Sequence, residues 1–231
     1  AADLYLDPYA AQFLIKHFRD ASKIHDEGLI HLLVSTLEMR PLLSLKAKEY
    51  DIIEAWLIEN EDKLIVPEPT QYSYEYEEYL QSIKTAMFLC DWIDEVTDDT
   101  IFEKYNVRPG ELRVKTDNGD WLLYSLDELA KLLNLRNRSE VHKMRTRLKY
   151  GVRKELLPLM RFKGVGKVRA RKMYQNQIRT VGDVKSADDT KLAALVGPAL
   201  TRKLKEQVGI KSDIKVPKRK RVGQKSLGDW G

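Results

Sequence analysis

One cysteine, Cys90, is all the sequence contains, so no internal disulfide can form and a reducing compartment, the cytoplasm, is the default. No apolar run approaches the ~18 residues of a membrane span, and no segment has the form of a signal peptide. No stretch alternates apolar and polar residues over a useful length, which argues against a sheet. The four histidines, His17, His25, His31 and His142, stand at no metal-ligand spacing with cysteine or carboxylates, so no metal site is expected. Gly166-Lys167 invites comparison with a P-loop, but G-x-x-x-x-G-K-[ST] requires glycine where Arg161 stands and Ser or Thr where Val168 stands. Cys90, beside Leu89 and near Trp92, reads as a buried thiol rather than a nucleophile. No catalytic residues are assigned.

What is present is charge, unevenly spread. The net formal charge of +5 hides 8 Lys/Arg against 21 Asp/Glu in residues 1–100, and 32 against 14 in residues 101–231. A polyanion is the natural partner of the basic half. The acidic half would be repelled by the same phosphates. It is a solvated surface, or it meets another protein.

The pattern reads as an all-α chain. Asp7-Pro8 is an N-cap followed by proline at the first helical position, opening a helix toward Phe18. Further helices are expected at 29–37, from about 42 to 60, from the Tyr72–Tyr79 cluster to Val96, and at 101–105 behind Asp98 and Asp99. Pro109-Gly110 reads as an end. A long helix is expected from Glu111 to Leu133, with an irregularity at Asn118-Gly119, and another from Ser139 to Val152. Such a run predicts a helical bundle over 1–153. A smaller unit is expected over 154–210, with the turn Gly164-Val165-Gly166, the segment Thr180–Val184, a short helix near 188–195, a turn at Gly197-Pro198 and a helix over 199–208. Residues 211–231 read as a basic tail containing Lys218-Arg219-Lys220-Arg221.

The most specific stretch is 163–174. A G-h-G turn sits between the apolar segment Leu156–Phe162 and a helix carrying Lys167, Arg169, Arg171 and Lys172, which is the outline of a helix-hairpin-helix. Backbone N–H groups at such a turn and at the helix start form an anion site, and with Lys163 and Lys167 beside Gly164 and Gly166 the fitting anion is a nucleic-acid phosphate. The competing reading is a helix end terminated by glycine for structural reasons. Trp121, near Arg113 and Lys115, is either a bundle-core indole or a stacking surface for a base of a single strand. Trp56 and Trp92 read as core, and Tyr72–Tyr79 as a packed loop. Gln224, Leu227 and Trp230 match most of the sliding-clamp-binding pattern Q-x-x-h-x-x-a-a, with Gly231 where the last aromatic belongs.

These residues resemble the C-terminal portion of the archaeal Hjm DNA helicases, relatives of eukaryotic HELQ in the Ski-type branch of superfamily two. The resemblance rests on 29–34, 84–94, Tyr105–Arg113 and Gly151–Leu157, and most specifically on Gly166-Lys167-Val168-Arg169-Ala170-Arg171-Lys172-Met173-Tyr174. It implies a ratchet-like bundle whose long helix crosses the translocating strand, with Trp121 as the base-stacking residue. The family's arginine two turns earlier falls on Val114, between Arg113 and Lys115. It implies a helix-hairpin-helix domain in which Arg169 and Arg171 restrain or couple the motor. The RecA motor domains and the winged helix are outside this sequence, so ATP and Mg2+ belong to the parent, a 3′→5′ helicase acting on single-stranded and forked DNA at stalled forks. Partners implied are those domains and a sliding clamp or single-strand-binding protein, without a membrane; the expected location is cytoplasmic and nucleoid-associated. The alternative is an interaction module that recruits replication proteins through its acidic half and its C-terminal peptide.

Overall fold

The computed structural model describes residues 4–214, among which every regular element is helical and no strand occurs. Two compact units meet between Leu157 and Pro158 in the chain, against the expected boundary after residue 153. Gln224, Leu227, Trp230 and the 218–221 basic run lie outside the described residues.

In the first unit, α1 (Pro8–Asp20) starts as read: the Asp7 carboxylate accepts from the N–H groups of Tyr9 and Ala10, and Pro8 needs no acceptor. Then come α2 (Asp26–Val34), α3 (Tyr50–Asn60), α4 (Tyr76–Ile93), α5 (Asp98–Tyr105), α6 (Pro109–Leu132) and α7 (Arg138–Tyr150). The central helix α2 has no exposed face: Leu29, Ile30, Leu32, Leu33 and Val34 are all buried, and it packs on α4 and α6. Helix α6 presents Leu112, Thr116, Gly119, Leu122, Leu123, Leu126, Leu129 and Ala130 to the core, the spacing of one helix face. Gly119 does not interrupt α6. A Cβ there would fall 2.4 Å from Leu148 Cδ2, so the glycine lets α7 approach closely.

Several boundaries differ from the sequence expectation. Residues 42–46 are not helical; a 3-10 turn at Ala47–Glu49 precedes α3. The cause is tertiary: Thr85 Oγ1 accepts from Leu43 N at 3.0 Å, while Lys84 Nζ donates to the Ser44 carbonyl and to Glu49 Oε2, both at 2.7 Å. Pro109 opens α6 at its first position instead of ending a segment. Helix α7 starts at Arg138 behind Asn137 at φ +63°, so Ser139 lies inside it. Thr97, not the following aspartates, caps α5. The tyrosine cluster divides: Tyr72 and Tyr74 are fully exposed, whereas Tyr76 and Tyr79 lie in α4 with rings 6.5 Å apart. Trp56 and Trp92 are half-buried against the core, and Trp92 Nε1 donates to the last-turn carbonyl of Leu148 at 2.7 Å.

The second unit begins inside a single helical turn, α8 (Leu157–Met160), where a longer apolar helix was expected. It continues with α9 (Lys167–Gln175), α10 (Val181–Ser186), α11 (Asp189–Val196) and α12 (Pro198–Gln207). Thr180 and Asp183 form a reciprocal capping box that opens α10. Phe162, Val165, Ala170, Met173, Ile178, Val184, Leu192 and Leu204 form its core.

Arg147, 2% exposed, joins three elements of the first unit. Its Nη1 donates to Asp26 at the start of α2 (2.5 Å), Nη2 to Asp94 (3.1 Å) and the Ile93 carbonyl (3.4 Å) at the end of α4, and Nε to the Val152 carbonyl (3.1 Å). Removing one side of such a pair costs ~3–5 kcal/mol when the partners are buried. Asp26 and Asp94 are partly solvated, which places Arg147→Met near the lower end, about 3 kcal/mol. Thermal unfolding should then start about 6–12 °C lower; an unchanged melting temperature would exclude the structural role.

Candidate nucleic-acid interface

Two separate surfaces carry the predicted site residues. The first is the exposed face of α6. Arg113 projects into solvent, with Asp117 3.6 Å away one turn on. Val114 is 54% exposed and lies seven residues before Trp121, on the same side of the helix. Trp121 is half-buried: one part of the indole packs against the core, and Nε1 donates to the Leu4 carbonyl at 3.0 Å. That bond helps to hold the ring, and part of the residue remains at the surface.

Lys115 does not belong to this surface. It is 5% exposed, and its ammonium donates to the carbonyls of Met39 and Pro41. Desolvation pulls its pKa below the ordinary lysine value. The helical period is the reason: Lys115 falls on the core stripe with Leu112 and Thr116, whereas Arg113 falls outside it. Of the two cations flanking Val114, only Arg113 can meet a phosphate.

Sequence reasoning did not find the neighbours of Trp121. Asp120 holds Arg145 of α7 through Nε (2.7 Å) and Nη2 (3.4 Å), and the Arg145 guanidinium lies 4.9 Å from the ring centre of Tyr124, itself 41% exposed. Farther along, Asp127 takes Arg138 (2.5 Å) and His142 (3.2 Å). The signal was available: acids seven residues apart on α6 face bases seven residues apart on α7, in reversed order, as antiparallel helices require.

The second surface is the hairpin turn of the second unit. Phe162 and Val165 are buried on either side of Lys163-Gly164, and Gly164 takes φ +92°, a conformation that favours glycine. A Cβ at Gly164 would also reach 3.0 Å from Leu200. Gly166 is the N-cap of α9, whose first-turn N–H groups have no acceptor within the helix. Gln207 braces the turn, accepting from Lys163 N at 2.9 Å, and Arg169 Nη1 donates to the Gly164 carbonyl at 3.0 Å. Lys163, Arg169 and Lys172 are exposed, and Lys167 and Arg171 are half-buried. Arg171 and Arg179 both lie against the Tyr174 ring, at 5.5 and 4.8 Å from its centre. An open cleft runs from Lys163, Gly164 and Arg169 to Leu200 and Lys203 of α12. Lys203 and Arg179 were not singled out in the sequence, because nothing there ties them to the turn.

The second turn repeats the first in register. Gly197 caps α12 as Gly166 caps α9, although it takes φ +92° where Gly166 is extended, and the fourth and seventh residues after it, Thr201 and Leu204, are buried, as are Ala170 and Met173 after Gly166. Its chemistry differs: Pro198 supplies no N–H, and Leu200 stands where Arg169 does.

Among the described residues no group of His, Cys, Asp and Glu is arranged to hold a metal ion, and no helix is long and apolar enough to cross a membrane. His31 is fully buried beside Ser82 Oγ (2.9 Å), and desolvation lowers its pKa to about 3, so it is neutral. Burial also raises the pKa of the Cys90 thiol.

Residues 27–151 match the family model described as archaeal helicase, domain 4. The chain is 34% identical over 210 residues to the ATP-dependent DNA helicase Hel308 of Methanocaldococcus jannaschii, covering 91% of this chain and 17% of that protein. It is 33% identical over 222 residues to the ATP-dependent DNA helicase Hel308 of Methanococcus vannielii, covering 91% of this chain and 28% of that protein. The chain thus spans under a third of the length of these relatives.

The burial of Lys115 separates stability from binding. Lys115→Met leaves the buried Met39 carbonyl without its donor, at about 1–3 kcal/mol, and also removes the part-buried bond to Pro41. It should lower the melting temperature by several degrees, while single-strand affinity measured well below that temperature stays unchanged. Arg113→Ala should do the reverse. A loss of affinity in Lys115→Met without loss of stability would contradict its placement in the core.

Proposed function

The chain belongs to the archaeal Hel308-type DNA helicase family and corresponds to its C-terminal region, and on that premise we propose that it grips the single strand for the family's motor. The observation that carries this reading is the first hairpin turn. There, the left-handed Gly164, the start of α9 behind Gly166, which offers no capping side chain, and the exposed cations Lys163 and Arg169 lie together. A backbone grip of this kind holds phosphates without reading bases, as a translocating strand requires. Trp121 on α6 supplies sequence-tolerant stacking.

In the whole protein this region would serve an ATP-dependent 3′→5′ helicase acting at stalled or forked DNA. ATP and Mg2+ would be held by RecA domains that lie outside these residues, and the working location would be the nucleoid. Arg169, bonded to the turn's own carbonyl, would keep the turn in shape for phosphate, which suits a role in coupling the grip to the motor.

Binding of a labelled single strand across a salt series tests the grip. Each phosphate contact removed should lower the slope of log K against log salt by ~0.7, so Arg169→Ala with Arg171→Ala should flatten it by about 1.4. Unchanged affinity and slope would defeat the hairpin reading. Trp121→Ala should weaken single-strand binding ~5–100-fold, and duplex binding less; an equal loss on both would make Trp121 a core residue only.

A second reading rests on the spacing of Gln224, Leu227 and Trp230, which fits a peptide that recruits a sliding clamp or a single-strand-binding protein. Capture of either purified protein by a peptide spanning 216–231, lost on Leu227→Ala with Trp230→Ala, is the expected result. Equal retention by the substituted peptide would remove the motif from consideration.

A further inference from the structure

We infer that the single-strand track on α6 has a second stacking station, the Tyr124–Arg145 pair, which takes an unstacked nucleobase next to the one at Trp121. The inference rests on the strand-gripping reading and extends it to residues that neither the comparisons nor the sequence patterns assign.

Tyr124 follows Trp121 by three residues, so the two rings are neighbours on one helix face, with Cβ atoms about 5–6 Å apart. That spacing exceeds the ~3.4 Å step of a stacked strand, and matches bases that have been drawn apart. Tyr124 is 41% exposed and does not belong to the buried core of the unit. Its ring is set by α7: Arg145 lies against it at 4.9 Å, and Arg145 is in turn held by two contacts with Asp120, at 2.7 and 3.4 Å. Tyrosine, arginine and aspartate therefore form one braced assembly spanning the α6–α7 seam. Little side-chain entropy remains to be lost when a base lands on it.

The chemistry of the ligand follows from charge. The Arg145 guanidinium is neutralised by the Asp120 carboxylate, so the assembly offers a flat polarisable surface with little net charge. A phosphate gains little there and would meet Asp120. A base, whose π-face stacks on tyrosine and on a guanidinium plane, gains without displacing the ion pair. Hence the ligand class is a nucleobase of a single strand, without preference among the four.

The test uses the full chain and two fluorescently labelled probes, an oligothymidylate and the same backbone carrying abasic sites. Tyr124→Ala should weaken oligothymidylate binding by ~5–100-fold, while Tyr124→Phe keeps wild-type affinity, because the ring and not the hydroxyl makes the contact. On the abasic probe, Tyr124→Ala should bind as the wild type does. Equal affinity of Tyr124→Ala and wild type for oligothymidylate would overturn the inference. So would an equal loss on both probes, which points to a phosphate contact or a disturbed fold. Trp121→Ala, run alongside, separates the two claims: if it weakens binding and Tyr124→Ala does not, the second station falls and the strand grip stands. If neither weakens binding, the second station falls together with the stacking role of Trp121, while the hairpin grip answers to the Arg169→Ala with Arg171→Ala variant.

Discussion

Arg147 sets the constraint on which the first unit depends. A guanidinium taken out of water is costly unless nearly every donor is answered. Here the answers come from the start of α2, the end of α4 and the turn after α7. None of these is close to Arg147 in sequence except Val152, so the charge is satisfied only when two distant helix ends, the start of α2 and the end of α4, meet the end of α7. Once α7 is anchored at its last turn, its register against α6 follows. Leu148 enters the notch at Gly119, Arg145 reaches Asp120, and Arg138 reaches Asp127. That register decides which side of α6 is left for solvent, and with it the exposure of Val114, Trp121 and Tyr124.

Much of this fold is legible before any coordinates, and the parts that are not share a cause. Asp7-Pro8 announces α1 because its cap is local, and the all-α class follows from apolar spacing alone. The segment 42–49 misleads because its residues would suit a helix, while Lys84 and Thr85, about forty residues away, supply partners that only an extended backbone can reach. Pro109 misleads in another way: proline is compatible with both the end of one helix and the first position of the next, and only the contacts of the following turn decide. The α6–α7 pairing was in fact written in the sequence. Asp120 and Asp127 rise by seven as Arg145 and Arg138 fall by seven, a sign visible once two helices are taken together.

The site was legible in kind but not in every member. Formal charge marks the second half of the chain as basic, yet it cannot tell a surface cation from a structural one. Lys115, Arg147 and Lys205 are all nearly buried, and each donates to at least one backbone carbonyl, with Arg147 also held by Asp26 and Asp94. Lys205, for example, takes the carbonyls of Lys185 and Ala187 at the end of α10, where a helix terminus presents acceptors without partners. Of the cations that remain exposed in the second unit, Lys163, Arg169 and Lys203 line the cleft at Gly164, and the first two fall in the stretch that the G-h-G spacing had marked.

The two surfaces would hold a strand by different physics. On α6 the charges near Trp121 largely cancel: Arg113 stands beside Asp117, Arg145 beside Asp120, and the position two turns before Trp121 is the uncharged Val114. Stacking there involves no release of counterions, so its strength should change little with salt. The hairpin turn is the opposite case, with exposed cations and dipoles and no carboxylate in its helix, α9. Under the proposed reading, salt acts chiefly on the hairpin and on the single phosphate contact of Arg113, and base content acts on the α6 rings. Stacking that is the same for every base lets a strand step past without favouring any register. A charge grip that is indifferent to sequence keeps the strand from leaving between steps. A strand that moves requires both properties, and neither surface supplies both alone.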